Sequence, residues 1–262
     1  MKASLPMYDI VEIRHAHDAL WRGFARHFRR HGLENFPNRL IHDQPVNSLW
    51  SDDSLFMSQC CGYDIIHRYI HRLQVLATPW FNASGCGNGD YASTIVVPTD
   101  SAFDDVTDMA GKVAVINGPE SHSGMNALLS LVSPHCRSSK FFAEIKISGG
   151  HSQSLALLRE GKADVASVDC ITYELLGRYR PTAIESTRPL GLTYPAPAPP
   201  YVTAGKFDRE TVERMQNALL EAFEDQSLLD CRQTLLLEKI EISSAATYQR
   251  IDDAFKHNLR AI

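Results

Sequence analysis

The chain has 262 residues, of which 44% are hydrophobic and 22% are charged, and its formal net charge at pH 7 is -5. This composition supports a full hydrophobic core, which excludes a disordered chain, a fibrous protein and a small disulfide scaffold. No basic stretch is long enough to follow a phosphate backbone, so we expect no nucleic-acid partner.

The N-terminal sequence MKASLPMYDI has neither the apolar core nor the cleavage site of a secretory signal. No stretch approaches the ~20 apolar residues of a membrane helix, so we expect no membrane insertion. As written, the sequence predicts a cytoplasmic protein. A chain trimmed of its signal would look the same, which leaves a periplasmic location open.

The first third of the chain alternates strand and helix patterns. A helix is predicted over about 15–31, where Leu20, Phe24 and Phe28 have helical spacing. Strands are predicted at 74–78 and 91–98. Because the turn-rich ASGCGNGD separates these two strands, they are predicted to form an antiparallel hairpin.

The middle of the chain has the most regular pattern. It contains three apolar segments with strand character, separated by two segments with helical character; the strands are 113–116, 144–148 and 164–168, and the helices are 121–133 and 152–160. This order predicts a βαβαβ unit with a parallel sheet. Ligands of such sheets bind at the carboxyl ends of the strands.

The last part of the chain begins with the proline-rich LTYPAPAPPYV. An amphipathic helix is predicted from Asp208 to Phe223, with Asp208 as its N-cap. One further apolar stripe, at helical spacing, predicts a helix at the C-terminus; its members are Tyr248, Ile251, Phe255 and Leu259.

The segment NGPESHSGMNALL, residues 117–129, carries the most informative pattern. A strand leads through a Gly-Pro turn into a helix that starts with Ser121, His122, Ser123 and Gly124. Unpaired backbone N–H groups, hydroxyls and the positive end of the helix dipole make such a start an anion site, and Gly124 permits close approach. Simple N-capping by either serine is the alternative.

Two further residues follow neighbouring predicted strands at the same edge. His151 opens the helix after SGG, and Asp169 ends the buried strand ADVASVD. His151 is either a ligand contact or an exposed loop histidine. Asp169 either receives a ligand proton or ammonium group, or caps the next helix.

These motifs carry a family resemblance. The runs TIVVPTDS, DMAGKVAVINGPESHSGMNALL and FFAEIKISGGHSQSLALLREGKADVASVD resemble the PhnD-like phosphate, phosphite and phosphonate substrate-binding proteins of ABC importers. The resemblance is close over about 93–169. It implies an α/β type 2 periplasmic-binding-protein fold with two lobes, each a doubly wound, mostly parallel sheet with helices on both faces, joined by two crossing segments.

The resemblance also implies domain limits and site residues. Lobe one would comprise 1–98 and 189–262, lobe two 99–188, with the ligand cleft between them. The residues implied to bind the oxyanion are Ser121, His122, Ser123, Gly124, His151 and Asp169, together with two aromatic cleft residues, Tyr8 and Tyr63. The family's helix start is typically of Ser-Thr-Ser-Gly type, whereas His122 here adds a titratable donor.

The function implied is capture of a small phosphonate-like or phosphate-like anion for ABC-type uptake, without catalysis. The partners would be that anion and, if the chain is exported, an ABC permease; no cofactor and no metal are expected. A cytosolic enzyme or a ligand sensor on the same fold is the alternative, because a fold does not determine a function.

The six cysteines show neither a CxxC pair nor zinc-ligand spacing. We expect mostly reduced, partly buried thiols. Cys61 and Cys86 flank loops predicted to be neighbours, so one bridge between them is possible in an oxidising compartment.

Overall fold

The computed structural model describes residues 1–136 and 140–252. Its strands are, in chain order, β1 (Lys2–Ser4), β2 (Leu55–Gln59), β3 (Leu73–Phe81), β4 (Cys86–Gly87), β5 (Asp90–Tyr91), β6 (Ser93–Pro98), β7 (Val113–Ile116), β8 (Glu144–Ile147), β9 (Val165–Asp169), β10 (Thr187–Leu192), β11 (Ala196–Pro197), β12 (Tyr201–Ala204) and β13 (Leu237–Ile242).

The α-helices are α1 (Arg14–Arg30), α2 (Val46–Trp50), α3 (Gly62–His67), α4 (Ala127–Val132), α5 (His151–Arg159), α6 (Cys170–Tyr179), α7 (Arg209–Glu224) and α8 (Leu229–Thr234). A π-helix, His122–Asn126, precedes α4 directly. Short 3-10 helices lie at Pro6–Tyr8, Val11–Ile13, Val106–Met109, Ser133–His135, Pro181–Ala183, Gln226–Leu228 and Ala245–Tyr248.

The chain divides into two compact units. Among the described residues, the first unit comprises 1–82, 87–89 and 197–249, and the second comprises 83–86, 90–136, 140–196 and 250–252. The second unit extends beyond the expected 99–188 at both ends, because β6 and β10 pair with each other within its sheet.

The first unit is built on a five-stranded sheet with the order β1-β2-β12-β3-β13. β1 and β2 are parallel, whereas β12 and β13 run antiparallel to their neighbours. The apolar stripe of α1 is buried as predicted, and the ring of Phe24 stacks on that of Phe223 in α7. The predicted N-cap of α7 is confirmed, since the carboxylate of Asp208 accepts from the backbone N–H of Thr211 at 2.7 Å.

The second unit contains a five-stranded sheet with the order β10-β6-β9-β7-β8. The βαβαβ prediction is confirmed, because β7 is parallel to both β8 and β9. β6 runs antiparallel to β9 and β10. Residues from β6, β7, β9 and α4 bury one core against this sheet, among them Ile95, Val97, Ile116, Leu128, Val132 and Val165.

The predicted hairpin of 74–78 with 91–98 is wrong. β3 pairs with β12 and β13, and β6 pairs with β9 and β10, so the two strands belong to different sheets. Each takes partners from segments later in the chain, which a local turn pattern does not reveal. At the C-terminus Tyr248 and Ile251 are buried as expected, while Phe255 and Leu259 lie outside the described residues.

No helix in the described ranges combines the length and the apolar character needed to cross a bilayer.

Candidate functional site

Two helix starts lie side by side at one edge of the second unit's sheet. β7 leads into the π-helix and β8 leads into α5, and since β7 and β8 are parallel neighbours both connections leave the same edge. Gly149 turns the chain after β8 with φ +90°, a conformation that favours glycine. Its N–H donates to the carbonyl of Asn117 at 3.0 Å, which joins the two loops.

The helix after β7 begins with a π-turn instead of the predicted continuous α-helix. The backbone N–H groups of Met125 and Asn126 both donate to the carbonyl of Ser121, at 3.1 and 3.2 Å. The N–H of Ala127 reaches back to the carbonyl of His122, five residues earlier. A π-turn widens the helix locally, and such turns are frequent at functional sites.

Two hydroxyls from the sheet stabilise this unusual start. The carbonyl of Ser123 accepts from the Oγ of Ser93 in β6 at 2.8 Å and from the Oγ of Ser167 in β9 at 2.6 Å. Both serines are fully or almost fully buried. Because a buried carbonyl needs a partner, these contacts fix the position of Ser123 against the sheet.

Gly124 packs closely against the preceding loop. A Cβ atom at this position would lie 2.0 Å from the side-chain oxygen of Asn117 and 3.3 Å from its backbone nitrogen. The Asn117 side-chain oxygen is itself buried and has no hydrogen-bond partner among the described residues. A buried acceptor without a partner is available to a donor group from a ligand or a water.

The hydroxyls of Ser121 and Ser123 and the ring of His151 form one cluster. The Oγ atoms of the two serines are 3.3 Å apart, and the Oγ of Ser123 is 3.0 Å from Nε2 of His151. Ser121 caps the π-helix by accepting from the N–H of Gly124 at 3.1 Å. The structure therefore brings together four of the residues expected to bind the oxyanion, and N-capping by Ser121 accompanies that arrangement.

His122 faces a different environment. Its side chain is buried, and its Nδ1 lies 3.1 Å from the side-chain nitrogen of Asn126. Its ring centre is 6.1 Å from that of Tyr91. Removal from water lowers the pKa of His122 to about 4, so the ring is neutral at pH 7.

His151 is also neutral at pH 7. Its side chain retains some exposed surface, but loss of water around the ring lowers its pKa to about 4, against a smaller rise from the backbone of Ser167. A neutral imidazole can donate from one nitrogen and accept at the other. The cluster is therefore a set of neutral groups, each of which can donate or accept a hydrogen bond.

Asp169 ends β9 and caps α6. Its carboxylate accepts from the N–H groups of Ile171 and Thr172 at 2.8 and 3.1 Å. In the sheet it lies opposite Ser93, the residue whose hydroxyl reaches the carbonyl of Ser123. The capping role is thus observed, and a ligand-binding role at the same strand end stays a prediction.

Tyr8 and Tyr63, the two aromatic residues implied by resemblance, belong to the first unit. Tyr8 is buried, with its ring edge-on to Phe81 at 5.1 Å between centroids, and its carbonyl lies 3.1 Å from Nε2 of His17. Tyr63 lies in the first turn of α3 and is half-buried, with its ring 4.1 Å from that of His67. Their role toward a ligand stays a prediction.

Sequence reasoning missed three polar residues around the cluster, namely Asn117, Ser93 and Ser167. It also missed Asn126, which contacts His122. The serines lie within buried strands, where a small residue is ordinarily interpreted as core. The pattern offered one usable signal, since Asn117 follows β7 directly and precedes the Gly-Pro turn. Polar residues at that point of a parallel sheet commonly reach a ligand.

Within 1–136 and 140–252, no group of three or more histidine, cysteine or acidic side chains is arranged to hold a metal ion. The cluster combines hydroxyls, an imidazole and the start of a helix, whose first N–H groups have no intrahelical acceptor. Such a set can bind the oxygens of a small anion through several oriented dipoles.

Comparison with known proteins agrees with a site of this kind. Residues 56–254 match the family model described as an ABC transporter, phosphonate, periplasmic substrate-binding protein. No curated protein sequence matches the chain.

Solved structures match over nearly the whole chain at low identity. PhnD1 from Prochlorococcus marinus in complex with methylphosphonate has 13% identity and a TM-score of 0.74, over 98% of this chain and 97% of that one. A binding protein component of an ABC phosphonate transporter from Pseudomonas aeruginosa has 13% identity and a TM-score of 0.75, over 97% and 84%.

A third structure, XAC2383 from Xanthomonas citri bound to chloride ion, has 13% identity and a TM-score of 0.73, covering 99% of this chain and 97% of that one. At these identities the likeness establishes the fold alone.

Proposed function

The chain belongs to the phosphonate family of periplasmic substrate-binding proteins of ABC transporters, and from that premise we propose that it binds a small phosphonate or phosphate anion at the Ser121, Ser123 and His151 cluster. In this role it works in the periplasm and delivers its ligand to a membrane permease. It binds the anion without transforming it.

The single observation that carries this proposal is the junction between the two helix starts. The 3.0 Å contact between the Oγ of Ser123 and Nε2 of His151 supports a site in which groups from two neighbouring βα connections reach one ligand. A tetrahedral oxyanion presents several acceptor oxygens in different directions. Donors that converge from two loops suit that shape better than one helix start alone.

The charge of the cluster supports the same ligand class. The serine hydroxyls and the imidazoles are neutral at pH 7, because burial lowers the pKa of both His122 and His151 to about 4. Neutral dipoles bind an anion through hydrogen bonds to the charged group, which are stronger than bonds between neutral groups. An overall charge of -5 is therefore compatible with an anionic ligand.

The test is a binding assay with the purified 262-residue protein. Methylphosphonate, aminoethylphosphonate, phosphite, phosphate and sulfate are titrated by calorimetry and screened by thermal shift. At a hundredfold excess over the dissociation constant, a ligand should stabilise the protein by about 2.7 kcal/mol, or roughly 5–10 °C. A ³¹P NMR spectrum after prolonged incubation should show the ligand unchanged, whereas a new phosphorus signal would favour an enzyme.

The matched variants are Ser121→Ala with Ser123→Ala, and Ser130→Ala alone. The double variant should bind at least ~100-fold more weakly, since two hydrogen bonds to a charged group are lost. Ser130 lies in α4, and its hydroxyl donates to the carbonyl of Asn126 at 2.9 Å. Its variant should keep normal affinity. Equal affinity in the double variant and the natural protein would overturn the assignment of the site.

A further inference from the structure

Two thiols of the second unit lie in contact. The Sγ of Cys86 in β4 is 3.5 Å from the Sγ of Cys170 at the start of α6. Both cysteines are free thiols in this structure. This pairing differs from the expectation that Cys86 would face Cys61.

Backbone contacts fix the positions of both Cys86 and Cys170. Gly85 has φ +94°, and a Cβ there would lie 3.2 Å from the Cβ and 3.3 Å from the Sγ of Cys170. The segment 83–86 thus packs its main chain directly on Cys170. The N–H of Cys170 donates to the carbonyl of Ala92 at 3.1 Å, and the N–H of Cys86 donates to the carbonyl of Ala83 at 3.0 Å.

We propose that Cys86 and Cys170 are a disulfide-forming pair, and that oxidation links the segment 83–86 covalently to the start of α6. A disulfide bond of about 2 Å can form from this arrangement by small rotations of the two side chains. Bridging is expected where the protein meets an oxidising compartment, because disulfides form and persist there.

The oxidant is a disulfide compound such as oxidised glutathione. The half-buried thiol of Cys86 loses its proton and attacks one glutathione sulfur, which forms a mixed disulfide and releases one glutathione thiolate. The Cys170 thiolate then attacks the Cys86 sulfur and releases the second glutathione. Two protein thiols are oxidised, one disulfide is reduced, and the two protons end on the released glutathione molecules.

The order of attack follows from the environment of Cys170. Its hydrogen bond with Cys86, together with burial, raises the pKa of the Cys170 thiol far above its ordinary value. Cys170 is only 2% exposed, whereas Cys86 is partly exposed, so the oxidant reaches Cys86 first. Capture of Cys86 by the oxidant removes that thiol as a hydrogen-bond partner and lets Cys170 react second.

The bridge would also anchor the candidate site. Cys170 follows Asp169 directly, so a link at Cys170 restrains the strand end that carries this carboxylate and the first turn of α6. The link closes a long loop between residues 86 and 170, which restricts the unfolded chain strongly.

The experiment treats the folded, reduced chain with oxidised glutathione and digests it without reduction. Mass spectrometry should find the peptides of Cys86 and Cys170 joined, with the loss of two hydrogen atoms, and a thiol titration should find two fewer thiols. The oxidised protein should unfold on the order of 5 °C higher than the reduced one.

Two variants complete the test. Cys86→Ser should form no such link and show no oxidation-dependent shift, while Cys61→Ser should behave like the natural chain. Circular dichroism confirms that each variant is folded. A stable glutathione adduct on Cys86 without the link, or a link that joins Cys86 to another cysteine, would overturn the proposal. None of these readouts uses a ligand, so the result is independent of the proposed binding function.

Discussion

The Oγ of Ser123 lies 3.0 Å from Nε2 of His151, although the two residues belong to different βα connections. The backbone carbonyl of Ser123 accepts hydrogen bonds from the hydroxyls of Ser93 and Ser167, which hold Ser123 against the sheet. His151 is fixed by its place in the first turn of α5. The two side chains therefore meet because the sheet holds both helix starts, which preorganises the cluster before any ligand arrives.

Replacing His151 should weaken anion binding. We expect His151→Ala to raise the dissociation constant for methylphosphonate about 10- to 100-fold, since a hydrogen bond to a charged group contributes roughly 1.5–3 kcal/mol. Isothermal titration at pH 7.5 measures the change. His151→Gln should restore part of the affinity, because an amide can replace one imidazole donor.

The control for this prediction is His135→Ala, which changes a histidine of the same unit in the short 3-10 helix Ser133–His135. Its affinity should be normal. A His151→Ala protein that binds as tightly as the natural chain would remove His151 from the site.

Acid should destabilise the protein through its buried histidines. In the folded chain burial lowers the pKa of His122 to about 4, whereas an unfolded histidine titrates near 6.5. Between these values the unfolded state binds more protons, so the free energy of unfolding falls as pH drops from about 6.5 to 4. The contribution of His122 is on the order of 3 kcal/mol, and that of the partly exposed His151 is smaller.

Urea denaturation at several pH values between 4 and 7.5 measures this dependence. His122→Gln cannot titrate in this range, so its stability should depend less steeply on pH than that of the natural chain. Carboxylates also contribute to acid sensitivity, and the comparison of the two slopes separates them from His122. Parallel slopes in the two proteins would contradict the histidine explanation.

A methyl group at Gly124 should disturb the helix start. The new Cβ of Gly124→Ala would come within 2.0 Å of the Asn117 side-chain oxygen. We expect a loss of about 1–3 kcal/mol in the free energy of unfolding, together with weaker anion binding. Gly118→Ala is the matched control, because a Cβ at Gly118 has no atom within 4 Å.

The clash can also be relieved by removing the side chain of Asn117. Asn117→Gly removes the side chain that the methyl group meets, so Gly124→Ala in that background should lose less stability than in the natural chain. An equal loss in both backgrounds would mean that the contact with Asn117 does not explain the requirement for glycine.

Asp169 should combine a structural role with a role in ligand choice. Asp169→Asn keeps a good capping residue and should stay within about 0.5 kcal/mol of the natural stability, while Asp169→Ala should lose about 0.5–2 kcal/mol. If the carboxylate meets a ligand ammonium, Asp169→Asn should reduce the affinity for aminoethylphosphonate relative to methylphosphonate. An unchanged ratio of the two affinities would leave Asp169 as a cap only.

The helices were the most predictable elements of the fold. The stripe of Leu20, Phe24 and Phe28 and the cap at Asp208 are local patterns, and both predictions are confirmed. Strand pairing was less accessible, because the partners of β3 and β6 come from distant segments. The wrong hairpin arose from a turn-rich segment whose composition is typical of hairpins, although the strands on either side of it enter different sheets.

The candidate site was predictable only in outline. The pattern of strand, turn and polar helix start located Ser121, Ser123 and His151 because a parallel sheet places such starts at one edge. The contributions of Ser93 and Ser167 were not predictable, since nothing in the sequence shows that two strand hydroxyls point at one carbonyl. The π-turn was not predictable either, because the contacts that stabilise it come from strands distant in sequence.

The widened turn at His122–Asn126 makes the length of this segment as important as its composition. Removing one residue there would return the backbone to an α-helical repeat and rotate Ser121 by about 100° around the axis of α4. The serine hydroxyls would then leave the side of His151 even though every polar residue was still present. Transplanting this helix start onto another scaffold thus requires the surplus residue together with a sheet that supplies two hydroxyls to the Ser123 carbonyl.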